Sequence, residues 1–219
     1  WVESGIKCIT EQTYENLEII IVDDGSKDNS YMKCLAEADK DRRIAVFSKN
    51  NEGPGAARNL ALRKATGDYI YFFDIDDYLE KNAIEKFVRY MENENTDLVV
   101  CSFSMFDGEK VFRTVKKADG LKRTGGDARK DYYEHMFMYG ERGIQGAAWF
   151  KLYKTDIIRK NGIEFPKLRK SEDDVFVARY VNCIDSFYMT GDVLCRYYVN
   201  SYQRFWDKYR FDIFDTSRQ

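Results

Sequence analysis

The stretch GDYIYFFDIDDYLEKN (67–82) runs from an apolar segment into three carboxylates, Asp74, Asp76 and Asp77, with no basic side chain before Lys81. A second acidic pair, Asp23 and Asp24, closes the β-branched run LEIIIVDD (17–24). Carboxylates gathered at the ends of neighbouring strands repel one another unless a cation or hydrogen-bond donors compensate. Hard oxygen ligands favour Mg2+ or Mn2+, and Mg2+ is usually held by one or two carboxylates together with substrate phosphates. The pattern therefore points to a metal-bound nucleotide diphosphate. The plainer alternative is that Asp76 and Asp77 cap the helix that follows. Capping accounts for one of them, not for all three together with Asp23 and Asp24. A third acidic group, Glu172, Asp173 and Asp174 in SEDDVF (171–176), reads as the first turn of a helix, where the helix dipole favours acids.

The elements that must position these groups alternate along the first half. Strands are predicted at 17–24, 43–49, 68–74 and 97–106, and helices at 1–12, 28–40, 53–67 and 79–95. Strands and helices alternating at this length indicate βαβ units, hence an α/β fold with a mostly parallel central sheet, in which ligands bind beyond the carboxyl ends of the strands. After Phe106 the alternation weakens. A polar hairpin or loop is expected at 107–126, a helix at 127–140, a buried segment entering a helix at 146–162, and a helix at 171–183. Without an internal repeat or low-complexity linker, residues 1–200 are read as one domain. Its halves are a nucleotide-type 1–106 and a more irregular 107–200, followed by a helical tail at 201–219. The aromatic and basic residues of that tail suit a packing helix, with Phe205 and Tyr209 on its buried face, or an interfacial helix at a membrane.

Composition narrows the function classes. The 219 residues carry 35 basic and 37 acidic side chains, a net charge of -2, so no global field attracts nucleic acid. Any anionic ligand must be held locally. The five cysteines form no CxxC pair, which indicates neither a disulfide framework nor a zinc site and fits a reducing cytoplasm. No apolar run reaches the roughly 18 residues that span a bilayer. Lone His135 is read as structural. The chain starts at Trp1 within a helical pattern, and a segment upstream of it is expected.

Five ordered motifs, QTYENLEIIIVDDGSKDNS, NNEGPGAARNLAL, GDYIYFFDIDDYL, WFKLY and SEDDVF, together resemble glycosyltransferase family 2, with its GT-A fold, over about Cys8 to Ser201. The resemblance implies a Rossmann-like α/β/α sandwich with an acceptor-side second half. It also implies an inverting, metal-dependent enzyme that moves a sugar from a nucleotide diphosphate, UDP foremost, to an acceptor hydroxyl in bacterial cell-surface polysaccharide synthesis. The acceptor would be a saccharide or a lipid-linked saccharide, and the enzyme would be cytoplasmic or peripheral at the inner face of the membrane. Carried over residue by residue, Asp24 contacts the nucleotide base, Asp23 and Ser26 shape the same loop, and Arg58 lies near the nucleotide. Asp74 sits near the ribose or metal, and Asp76 is a direct ligand of Mn2+ or Mg2+. Asp173 is the catalytic base. Trp149, Lys151, Tyr153 and Glu172 flank the sugar and acceptor pocket, with core packing the alternative for Trp149. Some relatives have a metal-binding His after the acidic motif; here there is none. Family members begin with a strand that lines the nucleotide pocket and is absent from this sequence, so a gap in the sheet beside that pocket is expected. Two other readings stand beside this one: a nucleotidyltransferase, and an inactive nucleotide- or sugar-binding module.

Overall fold

A computed structural model of the chain describes residues 1–137, 146–168 and 170–199. The first strands, β1 (Ile19–Asp23) and β2 (Ile44–Ser48), pair in parallel, with Ile19 opposite Ile44 and Asp23 opposite Ser48. Alternation along each strand puts Ile19, Ile21, Ile44 and Val46 in one cluster with Ile6 of α1 (Val2–Thr10) and Cys34 of α2 (Ser30–Ala38). Helix α2 is the crossover between the two strands, and Asp28 Oδ1 accepts the Ser30 N–H (3.0 Å) at its start. After β2 the chain turns through Gly53, whose φ of 95° suits glycine, and enters α3 (Pro54–Lys64) with Pro54 at the first position.

The remaining strands are β3 (Tyr69–Tyr71), β4 (Tyr78–Leu79), β5 (Leu98–Phe106), β6 (Val111–Val115), β7 (Leu121–Thr124), β8 (Lys151–Lys154) and β9 (Ser186–Tyr198). They form one mixed sheet of order β3-β8-β5-β9-β4, with β6 on β5 and β7 on β9. Because β8 is antiparallel to both β3 and β5, and β9 is parallel to β5, strands β3, β5 and β9 share one direction. Among the described residues β1 and β2 pair with no strand of this sheet.

Strand β5 anchors the core. Its residues Leu98 to Ser104 are all buried, as expected of a strand covered on both faces. Helix α4 (Ala83–Asn93) buries Ala83, Ile84, Phe87, Val88 and Met91, a stripe at helical spacing. Burying each such large side chain contributes roughly 1.5–3 kcal/mol. Helices α5 (Gly126–Phe137), α6 (Thr155–Lys160) and α7 (Glu172–Val181) complete the second half.

Several expectations are corrected. The helix predicted from residue 79 starts at Ala83, because Tyr78 and Leu79 pair with Arg196 and Cys195 of β9. Asp77 therefore caps no helix; the N-cap of α4 is Asn82. The segment expected as a polar hairpin or loop at 107–126 contains β6, antiparallel to β5, and β7, antiparallel to β9; the WFKLY segment supplies β8, and the thirteen-residue β9 has no counterpart among the predicted elements. All five cysteines are free. Among the described residues no helix is long and apolar enough to cross a membrane. The predicted tail at 201–219 lies outside the described residues, as does the end of the 127–140 helix.

Candidate active site

Asp23 ends β1 and turns inward, where its Oδ2 accepts the Ser26 N–H (3.3 Å) and the Ser48 hydroxyl (3.4 Å). Asp24 points instead to the loop after β2. Its Oδ1 accepts Lys49 Nζ (2.9 Å) and the Glu52 N–H (3.0 Å), and its Oδ2 the Gly53 N–H (2.7 Å). Burial opposes its ionisation, but the Lys49 ammonium and the two backbone donors outweigh burial and hold the carboxyl below the usual range. The two acids thus tie together the ends of β1 and β2 and the start of α3, with the Lys49 ammonium on Asp24.

The 74–77 turn follows β3, closed by the Asp77 N–H donating to the Asp74 carbonyl (2.9 Å). Burial pushes the Asp76 carboxyl up, and Asp74 beside it adds to the rise. Burial pushes the Asp77 carboxyl up to about 8. Its Oδ1 accepts the Tyr198 N–H of β9 (2.9 Å), while Oδ2 has no partner among the described residues. Burial is the main cause of both rises, and the neighbouring carboxylates add to it. Among the described residues no three His, Cys, Asp or Glu groups converge into a cation cage. Asp74 and Asp76 would supply two carboxylates and leave the other positions to phosphate and water, as Mg2+ prefers.

Arg58, on α3, joins this turn to α7. Its Nη2 donates to Asp74 Oδ1 (2.9 Å), and its Nη1 to Asp173 Oδ1 (2.6 Å) and Glu172 Oε1 (3.3 Å). Asp173 Oδ2 accepts the Ala148 N–H (3.2 Å). Burial raises the Asp173 carboxyl above its usual range, and Arg58 and the Ala148 N–H offset part of the rise. Both acids lie in the first turn of α7 with Asp174, where the dipole favours them, and Ser171 just before them is held at φ 61°.

The supports of this group are not legible in the sequence. Asn59, next to Arg58, accepts the Phe165 N–H (2.8 Å) and donates to the Phe165 carbonyl (2.9 Å), a two-way clasp on the segment before α7. Phe165 stacks on Phe176 of α7, with centroids 4.1 Å apart, and its ring backs the Arg58 guanidinium at 5.5 Å. Only the position of Asn59 in the AARN motif hints at such a role.

The residues predicted to flank an acceptor are placed differently from one another. Glu172 shares Arg58 with Asp173. Trp149 is 6% exposed, edge-on to Phe103 and stacked on Tyr197 of β9 at 5.0 Å. Lys151 is fully buried; burial holds its amine well below the usual lysine range, and it donates to the Ala147 carbonyl. Tyr153 is also buried, its hydroxyl donating to the Ala148 carbonyl (3.1 Å). Tyr197 escapes a sequence-based reading because β9 itself does.

The chain is similar to known proteins in sequence and in fold. The model for Glycosyl transferase family 2 matches residues 1–161. The Bacillus subtilis protein EpsH, a glycosyltransferase by name, is 32% identical over 182 residues, which cover 82% of this chain and 51% of that protein. The cholesterol galactosyltransferase of Borreliella burgdorferi is 29% identical over 202 residues, 86% of this chain and 55% of that one. The chain spans about half the length of these relatives. Among solved structures, S. aureus TarS 1-349 in complex with UDP-GlcNAc matches with a TM-score of 0.75 at 20% identity, over 92% of this chain and 55% of that chain. The mannosyltransferase PcManGT from Pyrobaculum calidifontis, in complex with GDP-Man and Mn2+, matches with a TM-score of 0.63 at 19% identity, over 91% and 53%. At such identities the likeness shows the fold, a mixed α/β fold of the GT-A type.

Proposed function

The chain belongs to glycosyltransferase family 2, and on that premise we propose that it moves a sugar from a nucleotide diphosphate sugar to an acceptor hydroxyl with inversion at the anomeric carbon. The donor is a UDP-sugar, and the acceptor is a saccharide or lipid-linked saccharide of a cell-surface polysaccharide. The observation that carries this reading is the convergence, on one guanidinium, of Asp74 from the turn after β3 and Asp173 from the first turn of α7. A donor-side acid and a candidate base, remote in sequence, are thereby brought together on one side chain.

In this reading Asp23, Asp24 and Ser26 hold the nucleotide end. Asp173 takes the proton of the acceptor hydroxyl as its oxygen attacks the anomeric carbon. Its surroundings suit a base, since burial makes the carboxylate more basic than a free aspartate, while Arg58 offsets part of that rise. The bond to the diphosphate breaks as the new glycosidic bond forms, and attack opposite the leaving group gives inversion. A divalent cation, when bound, would be held by Asp76 and Asp74 and would supply positive charge to the leaving diphosphate. The UDP-GlcNAc in TarS and the GDP-Man and Mn2+ in PcManGT support a nucleotide-sugar donor and a cation.

The test is a panel of UDP-sugars with Mn2+, scored for donor hydrolysis or transfer, beside calorimetric titration of UDP. Asp173→Asn is expected to abolish transfer while UDP still binds, and Asp76→Ala to lose Mn2+-dependent UDP binding. Unchanged transfer in the first variant would sink the base assignment, and unchanged binding in the second the cation assignment.

A further inference from the structure

Arg58, which its motif places near the nucleotide, is held between carboxylates of two remote segments. In the Asp24 loop the basic partner is Lys49, 2.9 Å from Asp24 Oδ1, whereas the Arg58 guanidinium spans Asp74 and Asp173. We propose that Arg58 is the positioning residue of Asp173 and couples that base to the donor-side carboxylate Asp74. The inference rests on Asp173 being the base, as above.

Three observations support it. First, a guanidinium presents donors in a rigid fork, so one side chain can orient two carboxylates at once. Nη1 reaches Asp173 at 2.6 Å and Nη2 reaches Asp74 at 2.9 Å. With the Ala148 N–H on the other oxygen, the plane of the Asp173 carboxylate is fixed at both ends. Second, Arg58 is itself held from behind. Phe165 backs the guanidinium, Phe176 stacks on Phe165, and Asn59 clasps the Phe165 backbone. Gly55, one turn earlier on α3, permits this approach, since a Cβ there would lie 3.2 Å from Phe165 Cβ and 3.3 Å from the Pro166 carbonyl. Third, the charges do not balance, because one guanidinium serves Asp74, Glu172 and Asp173. The donor-side carboxylate Asp74 and the base Asp173 are thus oriented by the same cation.

The test compares Arg58→Gln, Arg58→Lys and Asp173→Asn by UDP titration in Mn2+, by donor turnover, and by thermal melting of the double variant Arg58→Gln/Asp173→Asn. Arg58→Gln is expected to leave UDP affinity within about threefold and to cut turnover at saturating donor roughly 100-fold, the scale of a misplaced catalytic group. Arg58→Lys should recover part of that loss, since an ammonium restores the charge and not the fork. In melting, the two substitutions should be non-additive, because removing either partner already breaks the pair. A large loss of UDP affinity with normal turnover at saturation would overturn the proposal and return Arg58 to the nucleotide. So would additive melting shifts. If Asp173→Asn keeps full turnover, or no UDP-sugar reacts, the functional reading has failed, and the melting cycle alone decides whether Arg58 holds Asp173.

Discussion

Helix α7 brings Asp173 to the candidate site, and the far end of that helix is held by the phenols of Tyr133 and Tyr180, of which Tyr180 is the buried one. Tyr180 is fully buried; its hydroxyl donates to the Asp97 carbonyl (2.6 Å) at the start of β5 and accepts the Lys154 N–H (2.8 Å) at the end of β8. Its ring meets Tyr153 edge-on at 4.9 Å. Tyr180→Phe keeps that ring contact and removes a single oxygen, so it isolates the hydrogen bonds. Two backbone groups, one donor and one acceptor, would be left without this partner. Each unsatisfied buried group costs about 1–3 kcal/mol, and a loss of roughly 2–4 kcal/mol is expected if the packing holds them away from water. For a domain of this size 1 kcal/mol corresponds to about 2–4 °C in Tm, which predicts a fall of about 4–16 °C. Urea unfolding should show a lower midpoint with an unchanged slope, since the surface exposed on unfolding hardly alters. Below the transition, UDP binding should persist, because the hydroxyl lies at the opposite end of α7 from Asp173. A change under about 0.5 kcal/mol would refute the reasoning and show that ring packing alone seats the helix.

Two further outcomes follow from the packing around the site. Gly55→Val should destabilise by about 1–3 kcal/mol in urea unfolding, because even the first added carbon would sit 3.2 Å from Phe165 Cβ and the branch adds two more. Lys117 is 4% exposed over the rings of Phe103 and Phe150, and burial pulls its amine down to about 8. The unfolded chain then binds more protons between pH 8 and 10.5, so this group makes wild-type stability rise with pH in that window, by up to about 1.4 kcal/mol per pH unit. Lys117→Met lacks that slope. Its stability relative to wild type should be highest at pH 7 and fall steadily toward pH 10, measured by urea unfolding at each pH; a constant difference would contradict the burial argument.

Much of the first half is legible in the sequence because its elements are specified locally. Runs such as IIIVD and IAVFS need only a neighbour to become strands, and Pro54 and the acids of SEDDVF mark helix starts through backbone geometry and the dipole. Strand β9 is hidden because SFYMTGDVLCRYY carries no clean period. It becomes a strand by pairing with β5, β7 and β4, which only the folded chain supplies. Asp77 misleads for the same reason. Locally it suits a cap, yet Tyr78 and Leu79 are drawn to β9, so its carboxylate meets the Tyr198 N–H instead.

The candidate site divides along the same line. Residue types and motif order in the sequence determined which groups are proposed to carry the chemistry: Asp23 and Asp24, Asp74 and Asp76, Asp173. Local signals can specify a carboxylate after a strand or in a first helical turn, because each depends on a few adjacent residues. Their partners were decided by the tertiary structure. Arg58 lies between Asp74 and Asp173, Lys49 serves Asp24, and Asn59 with Phe165 seats the guanidinium. A long cationic side chain can reach any acid within its radius. Which one it meets depends on how helices and strands remote in sequence pack, and on which charges that packing leaves uncompensated.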